Sequence, residues 1–261
     1  MNIVVCLKQV PGTTQVKIDP QTNTLVRQGV ESILNPFDAY ALEEGVRLKE
    51  RFGGKVTVVS MGPPQADAML REAISVGADQ AVLLSDREFA GSDTLATSYT
   101  LSMAVKKIRE FDLVICGRQT LDGDTGQVGP ELAEMLRLPF IAYVSKVVDA
   151  TNSALRVLRM VDEGHEEIET VLPAVITVTK EINVPRLPSL RGLMKSKSAQ
   201  VPVWTAGDIG ADGHSVGRNG SATVVVKSFN PERVRTGQVL KGTVEEQVES
   251  LVIKLREGKV I

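Results

Sequence analysis

Leu113-Val114-Ile115-Cys116, followed by Gly117-Arg118-Gln119-Thr120-Leu121-Asp122-Gly123-Asp124-Thr125-Gly126-Gln127-Val128-Gly129-Pro130, sets the fold class. Four unbroken apolar residues read as a strand buried on both faces. The glycine-rich polar run is a loop, and Pro130 suits the first position of a following helix. The same texture recurs at residues 3–7, 56–60 and 81–85. Between these strands, Ala66, Met69, Leu70, Ala73 and Ile74 fall at i, i+3, i+4, i+7 and i+8, a single apolar helical stripe. Leu101, Ala104, Val105 and Ile108 repeat that spacing. Strands alternating with helices at these lengths predict right-handed βαβ units: a three-layer α/β fold, its mostly parallel sheet covered by helices on both faces.

Two insertions interrupt the alternation. Val16 and Ile18, the punctuation at residues 19–23, and Leu25-Val26 predict a hairpin within 14–30. A second hairpin is expected over 153–172, with Asp162-Glu163-Gly164-His165 as its turn and His165 exposed. Residues 174–178 follow as another buried strand. From about 183 the prolines 185, 188 and 202 and a series of glycines deny the chain regular structure, while Trp204 offers a buried anchor. Val244, Val248, Leu251, Val252 and Leu255 form a closing helical stripe, opened by a capping box of Thr243 and Glu246. The expected organisation is an α/β domain over 1–182 and, over 183–261, a partner-wrapping arm that ends in a helix.

Composition narrows the function. The chain has 261 residues, is 43% hydrophobic and carries a net charge of −2, so it is globular and lacks the basic footprint of a nucleic-acid binder. Its apolar runs are too short to cross a bilayer, which predicts no membrane insertion. Two cysteines, both in apolar runs, rule out a disulfide framework and point to the cytoplasm. Both read as buried structural thiols. His165 and His214 belong to no Cys/His cluster, so no metal site is expected. P-loop, nucleophile-elbow and C-x-x-C motifs are missing, and with them the hydrolase and kinase signatures. Any chemistry must come from a cofactor or a partner.

Four segments fall where parallel sheets bind ligands, outside the carboxyl ends of the strands. In the 117–130 loop, the glycines permit close backbone approach, Thr125 and Gln127 donate hydrogen bonds, and Arg118 is cationic. Asp122 and Asp124 suit ribose hydroxyls or the loop itself. Gly91-Ser92-Asp93-Thr94-Leu95-Ala96-Thr97-Ser98 opens a helix capped by Ser92 or Asp93, leaving Thr94 and Thr97 on one face of the first turn beside free N–H groups. That arrangement suits a diphosphate. Asn35-Pro36-Phe37-Asp38 reads as a helix cap with Pro36 at N1. Ser60-Met61-Gly62-Pro63-Pro64 is a tight turn whose backbone is placed to meet a base.

Three of these segments, the 117–130 loop, Asn35-Pro36-Phe37-Asp38 and Met61-Gly62-Pro63-Pro64, together with Val5-Cys6-Leu7-Lys8-Gln9-Val10-Pro11, Ala41-Leu42-Glu43-Glu44 and Leu190-Arg191-Gly192-Leu193-Met194-Lys195, resemble the β subunits of electron transfer flavoproteins over residues 1 to about 210. The resemblance implies that the Cys6 backbone, Asn35, Asp38 and Met61 surround an adenosine and that Asp122, Gly123, Asp124, Thr125, Gly126, Gln127, Val128, Gly129 and Pro130 cradle ribose and phosphate. It also implies a heterodimer with an α subunit, and a dehydrogenase partner met by Leu190, Arg191 and Met194.

The family divides. Ordinary members hold a structural AMP in the β subunit, and the only redox centre is the α subunit's FAD. Electron-bifurcating members hold a second FAD there, which takes hydride from NADH and divides the electrons. One electron goes through the α-subunit FAD to a flavoprotein dehydrogenase, the other to ferredoxin or flavodoxin. Val10-Pro11, residues 92–98 and Gly117-Arg118-Gln119 with Asp122-Gly123-Asp124-Thr125 resemble the bifurcating group. Thr94 and Thr97 would then serve the diphosphate, and Arg118 the flavin end. Gly12 departs from the aspartate that many of those proteins carry, which leaves open how the first loop closes. The expectation is a redox-active subunit, not catalytic alone, with the AMP-holding subunit as the alternative.

Overall fold

The computed structural model describes residues 1–12, 17–18, 25–26, 32–226 and 237–261. β1 (Ile3–Cys6) is followed by four short strands, β2 (Gln9–Pro11), β3 (Lys17–Ile18), β4 (Leu25–Val26) and β5 (Ser32–Leu34), and by helix α1 (Pro36–Phe52). The alternation continues through β6 (Val56–Met61), α2 (Asp67–Val76), β7 (Gln80–Leu84), α3 (Thr94–Ile108), β8 (Leu113–Gly117) and α4 (Val128–Leu136). Four strands come next: β9 (Phe140–Ala150), β10 (Ala154–Val161), β11 (Gly164–Val171) and β12 (Ala174–Val178). Last are α5 (Leu190–Ser198), β13 (Val203–Trp204), α6 (Gly217–Gly220) and α7 (Val244–Glu257).

The nine-stranded sheet runs β11-β10-β9-β12-β8-β1-β6-β7-β13. Its pairs are parallel from β9 to β13, and only β10 and β11 add antiparallel pairs at one edge. Alternate residues of each buried strand serve opposite faces. Ile3, Val5, Val58 and Ile115 pack with Leu42 and Val46 of α1 and Leu70 and Ile74 of α2. Val4, Val59 and Val114 pack with Leu101 and Val105 of α3 and Leu132 and Ala133 of α4. Each such side chain contributes about 1.5–3 kcal/mol of burial, which makes two-sided covering self-consistent. The three-layer α/β expectation is met.

Chain order reverses direction between β1 and β8, which lie side by side in register, Cys6 opposite Cys116. Such a switch point leaves a crevice at the carboxyl ends of the strands.

Several expectations need correction. The stretch after 183 is not devoid of regular structure: Ser189 caps α5 by accepting from Gly192 N, and β13 extends the sheet beside β7. Trp204 is half-buried, against its own chain, with Lys107 Nζ 4.5 Å from its ring centroid. The second hairpin turns on Asp162-Glu163, so His165 is the second residue of β11 and pairs with Met160, exposed as expected. Helix α4 begins at Val128, which puts Pro130 at its third position. In the first hairpin, β3 and β4 pair antiparallel, and the rest of that expectation lies outside the described residues. β9 was not legible in the sequence.

The chain forms two compact units, Met1–Val226 and Lys227–Ile261. In the second, α7 opens with the expected capping box of Thr243 and Glu246, and none of its residues is buried.

Candidate functional site

A cleft of about 930 Å³ opens at the switch point, within the range of small-molecule sites. Its floor is the end of β1 (Cys6, Leu7, Lys8) and of β8 (Cys116, Gly117, Arg118); Met61 to Pro64, after β6, form one side. The α4 loop contributes Gln119, Thr120, Gly123 and residues 125–129, and the opposite wall is the loop 85–93 with Thr94, Thr97 and Leu101 of α3.

The sequence-predicted residues divide between lining and support. Cys6, Asp38, Met61, Thr94, Thr97, Arg118, Gly123, Thr125, Gly126, Gln127, Val128 and Gly129 line the cleft. Asn35, Asp122, Asp124 and Pro130 stand outside the lining. Leu190, Arg191 and Met194 lie on α5, with Leu190 84% and Met194 75% exposed.

Asn35 shows what support means here. Its side chain makes no cap hydrogen bond to α1, contrary to expectation. Instead Nδ2 donates to Asp38 Oδ1 at 2.9 Å and to the Gln119 carbonyl at 2.9 Å, while Oδ1 accepts from Leu121 N at 3.3 Å. Asn35 therefore ties the start of α1 to the long loop. Asp122 does the same for β1, pairing with Lys8 Nζ at 2.7 Å. Asp124 accepts from Gln119 Nε2, which in turn accepts from Arg118 through its side-chain oxygen.

Asp38, although part of the lining, is buried and accepts from Lys8 N at 2.7 Å. Burial pushes its carboxyl up to about 7, against the opposing hydrogen bonds from Asn35 and Lys8. The β8 backbone passes so close that a Cβ on Gly117 would lie 2.3 Å from Asp38 Oδ1 and 2.7 Å from the Phe37 carbonyl carbon. Gly126 turns the loop with φ +64°, in the left-handed region. Cys6 and Cys116 are free and buried. The hydrogen bond between them, with burial, drives the Cys116 thiol well up, and a protonated thiol is a poor nucleophile. Buried structural thiols were the expectation, and this environment fits it.

On the opposite wall Asp93, not Ser92, caps α3: its Oδ1 accepts from Ala96 N at 3.1 Å. Burial works against the Asp93 charge, and N–H donors from Ala96 and Thr223 outweigh it, holding the carboxyl below its usual range. Thr94 Oγ1 donates to Glu131 Oε1 at 3.0 Å, and Ser98 to the other oxygen at 3.0 Å. Thr94 thus turns its lone pairs outward, and Thr97 is the better side-chain donor for an anion.

Sequence reasoning missed the loop from Asp86 to Ala90, which adds Asp86, Arg87, Phe89 and Ala90 to the lining. Its signal was position alone: it connects a parallel strand to the next helix at the binding end of the sheet. Lys8 was read only as part of a family motif, although the end of β1 is its own marker.

Among the described residues no group of three or more His, Cys, Asp and Glu side chains is arranged to hold a metal ion. None of their helices is long and apolar enough to cross a membrane.

Fold and cleft define a doubly wound α/β protein with a crevice at the β1/β8 switch point. Residues 22–209 match the electron transfer flavoprotein domain family. The chain is 48% identical to the electron transfer flavoprotein subunit beta of Thermoanaerobacterium thermosaccharolyticum, over 100% of both chains. It is 47% identical to the caffeyl-CoA reductase-Etf complex subunit CarD of Acetobacterium woodii, again over 100% of both. Protein FixA of Azotobacter vinelandii is 48% identical, over 89% of this chain and 85% of its own. This chain belongs to the electron transfer flavoprotein family, as a β subunit.

Proposed function

We propose that this chain is the β subunit of an electron-bifurcating flavoprotein, with FAD in the switch-point cleft and NADH as electron donor. One electron is passed to the FAD of an α subunit and on to a flavoprotein dehydrogenase, the other to ferredoxin or flavodoxin. The observation that carries this reading is the continuity of the cleft. It reaches both the glycine-rich loop before α4 and the first turn of α3, which is two sets of anion donors. A mononucleotide needs one such set, whereas a dinucleotide uses both.

The residues present fit such a ligand. Leu7, Met61, Pro63, Phe89 and Leu101 offer apolar surface to ring systems, and Lys8, Arg87 and Arg118 bring positive charge. The Cys6 backbone, Asp38 and Met61 would flank the adenosine, with Asn35 behind them. Residues 123–129 would cradle ribose and phosphate, with Asp122 and Asp124 bracing their loop. The Thr97 hydroxyl and the N–H groups of Thr94 and Leu95 would hold the diphosphate, and Arg118 would face the flavin end. Bound FAD would supply hydride acceptance and single-electron release, so the protein need only position it and exclude competitors. No general acid, base or nucleophile from this chain is required.

The partner assignment draws on the relatives: CarD is by name part of a reductase–Etf complex, which supports a dehydrogenase-type partner here. Exposed Leu190 and Met194 on α5 offer it an apolar contact, flanked by Arg191 and Lys195. The remainder of the 183–261 segment would contact the α subunit, and the assembly would work in the cytoplasm.

Co-expression with the α subunit, denaturation and chromatography of the released nucleotides tests the reading. Two FAD per heterodimer and no AMP is the expected result. One FAD with one AMP would overturn it and leave this chain a structural AMP-holding subunit.

A further inference from the structure

The cleft wall at residues 85–93 is itself held from behind by a later part of the chain. Ser85 N donates to the Trp204 carbonyl at 3.1 Å, and Ala206 N to Asp86 Oδ2 at 3.1 Å. Gly217 passes so close that a Cβ there would lie 1.9 Å from the Glu88 carbonyl oxygen. The contact tightens at Asp93. Its N–H donates to Ser221 Oγ at 2.8 Å, and Ser221 donates in turn to the Gly217 carbonyl at 2.7 Å. Its Oδ2 accepts from both Thr223 N at 2.8 Å and Thr223 Oγ1 at 3.0 Å.

One carboxylate therefore has two tasks. Oδ1 caps α3 and so fixes the turn that presents Thr94 and Thr97 to the cleft. Oδ2 takes two donors from residue 223. Hydrogen bonds to an ionised acceptor are about twice as strong as neutral ones. Burial adds little to this support, because of residues 85–93 only Phe89 is buried.

We propose that residues 217–223 form a strap that holds the α3 wall in its ligand-retaining position, with Asp93 as the positioning residue joining strap to wall. This rests on the reading that the cleft holds a nucleotide, and it applies to FAD and AMP alike. Freed of the strap, the loop moves outward with the α3 cap, and nucleotide leaves faster.

Substitution at Asp93 separates the two tasks. In Asp93→Asn the amide oxygen can still cap α3, while the NH2 group facing Thr223 cannot accept. The α/β heterodimer is diluted, and FAD and AMP release is followed by chromatography, with α-subunit FAD as internal reference. Asp93→Asn should release the β-site nucleotide roughly tenfold faster, as expected for losing hydrogen bonds to a charged group. Thr223→Val should release it faster by a smaller factor, Thr223→Ser at the wild-type rate, and the Asp93→Asn/Thr223→Val pair no faster than Asp93→Asn alone. Thermal midpoints of the nucleotide-free Thr223→Val heterodimer and wild type should agree, which separates retention from folding.

Wild-type release rates in both Asp93→Asn and Thr223→Val would overturn the strap while leaving the nucleotide reading intact. So would effects that simply multiply in the double variant. A wild-type heterodimer carrying neither FAD nor AMP at this site would remove both proposals.

Discussion

Two helix N-termini flank the cleft, and their carboxylates live in opposite environments. At the start of α1, Asp38 is buried between Asn35, Lys8 and Gly117, and burial drives its pKa up to about 7. At the start of α3, Asp93 lies partly open, and N–H and hydroxyl donors from Ala96 and Thr223 keep its charge. The α1 wall is set by packing against the sheet: β8 cannot move without meeting Phe37 and Asp38. On the α3 side the helix itself packs on the sheet through Leu101 and Val105, but the loop that leads into it is joined to residues 206 and 221–223 by polar bonds that water can replace. The cleft thus has one wall held by close packing and one whose loop is held by hydrogen bonds.

Breaking the packed wall should have the largest effect. In Gly117→Ala the new methyl group meets Asp38 and the Phe37 backbone, so β8 and α1 must separate. Overpacking of this kind costs about 1–3 kcal/mol. A lowered urea midpoint together with loss of bound nucleotide is expected. A wild-type midpoint would show that the α1 wall yields after all.

The pH dependence of stability sharpens the contrast. Asp38 has a folded pKa near 7, above its ordinary 3.8, so between those values the native chain holds a proton that the unfolded chain releases. Its contribution to stability is therefore lost as pH rises from about 4 through 7, then stays level. Asp93, held below its ordinary value, contributes stability at neutral pH that is lost as pH falls through the acid range. Urea midpoints of wild type and Asp38→Asn, compared at pH 5.5 and 8, should differ more at pH 5.5. The variant also sets an NH2 group against a neighbour that donates, so it should be the less stable protein there. An equal difference at both values would mean that Asp38 titrates normally.

The smallest expected effect belongs to the hydrogen-bonded wall. Thr97→Val removes one hydroxyl from the cleft and nothing from the core. Nucleotide affinity should fall roughly two- to tenfold, the value of one net hydrogen bond, with the melting midpoint of the nucleotide-free protein unchanged. Unchanged affinity measured by equilibrium dialysis would place the diphosphate elsewhere.

What was legible in the sequence followed from burial. β1, β6, β7, β8 and β12 are near-continuous apolar runs because a two-sided parallel sheet buries nearly all their residues, those at strand ends such as Gln80 excepted. β9 escaped notice because its exposure alternates irregularly, with Tyr143 at φ +58° and register shifts against both neighbours. α5 escaped because Gly192 and the nearby prolines read as breakers. The structure needs that glycine, since a Cβ would lie 2.0 Å from the Ser75 carbonyl oxygen of α2. The far end of α5 is completed from a distance, Arg71 Nη1 donating to the Ser196 and Ala199 carbonyls at 3.0 and 2.9 Å.

The sequence alone determined the layer order, the binding end of the sheet, most of the cleft's lining and the family, because each rests on local pattern: apolar period, turn residues and motifs in register. Tertiary structure alone decided that Asn35 braces a loop where it had looked like a cap, that Thr94 gives its proton to Glu131, and that residues 217–223 reach Asp93. Those contacts join positions between 37 and 130 residues apart. A side chain's donors and acceptors can be read from its type; which partner takes them is settled only when the folded chain brings one within about 3 Å.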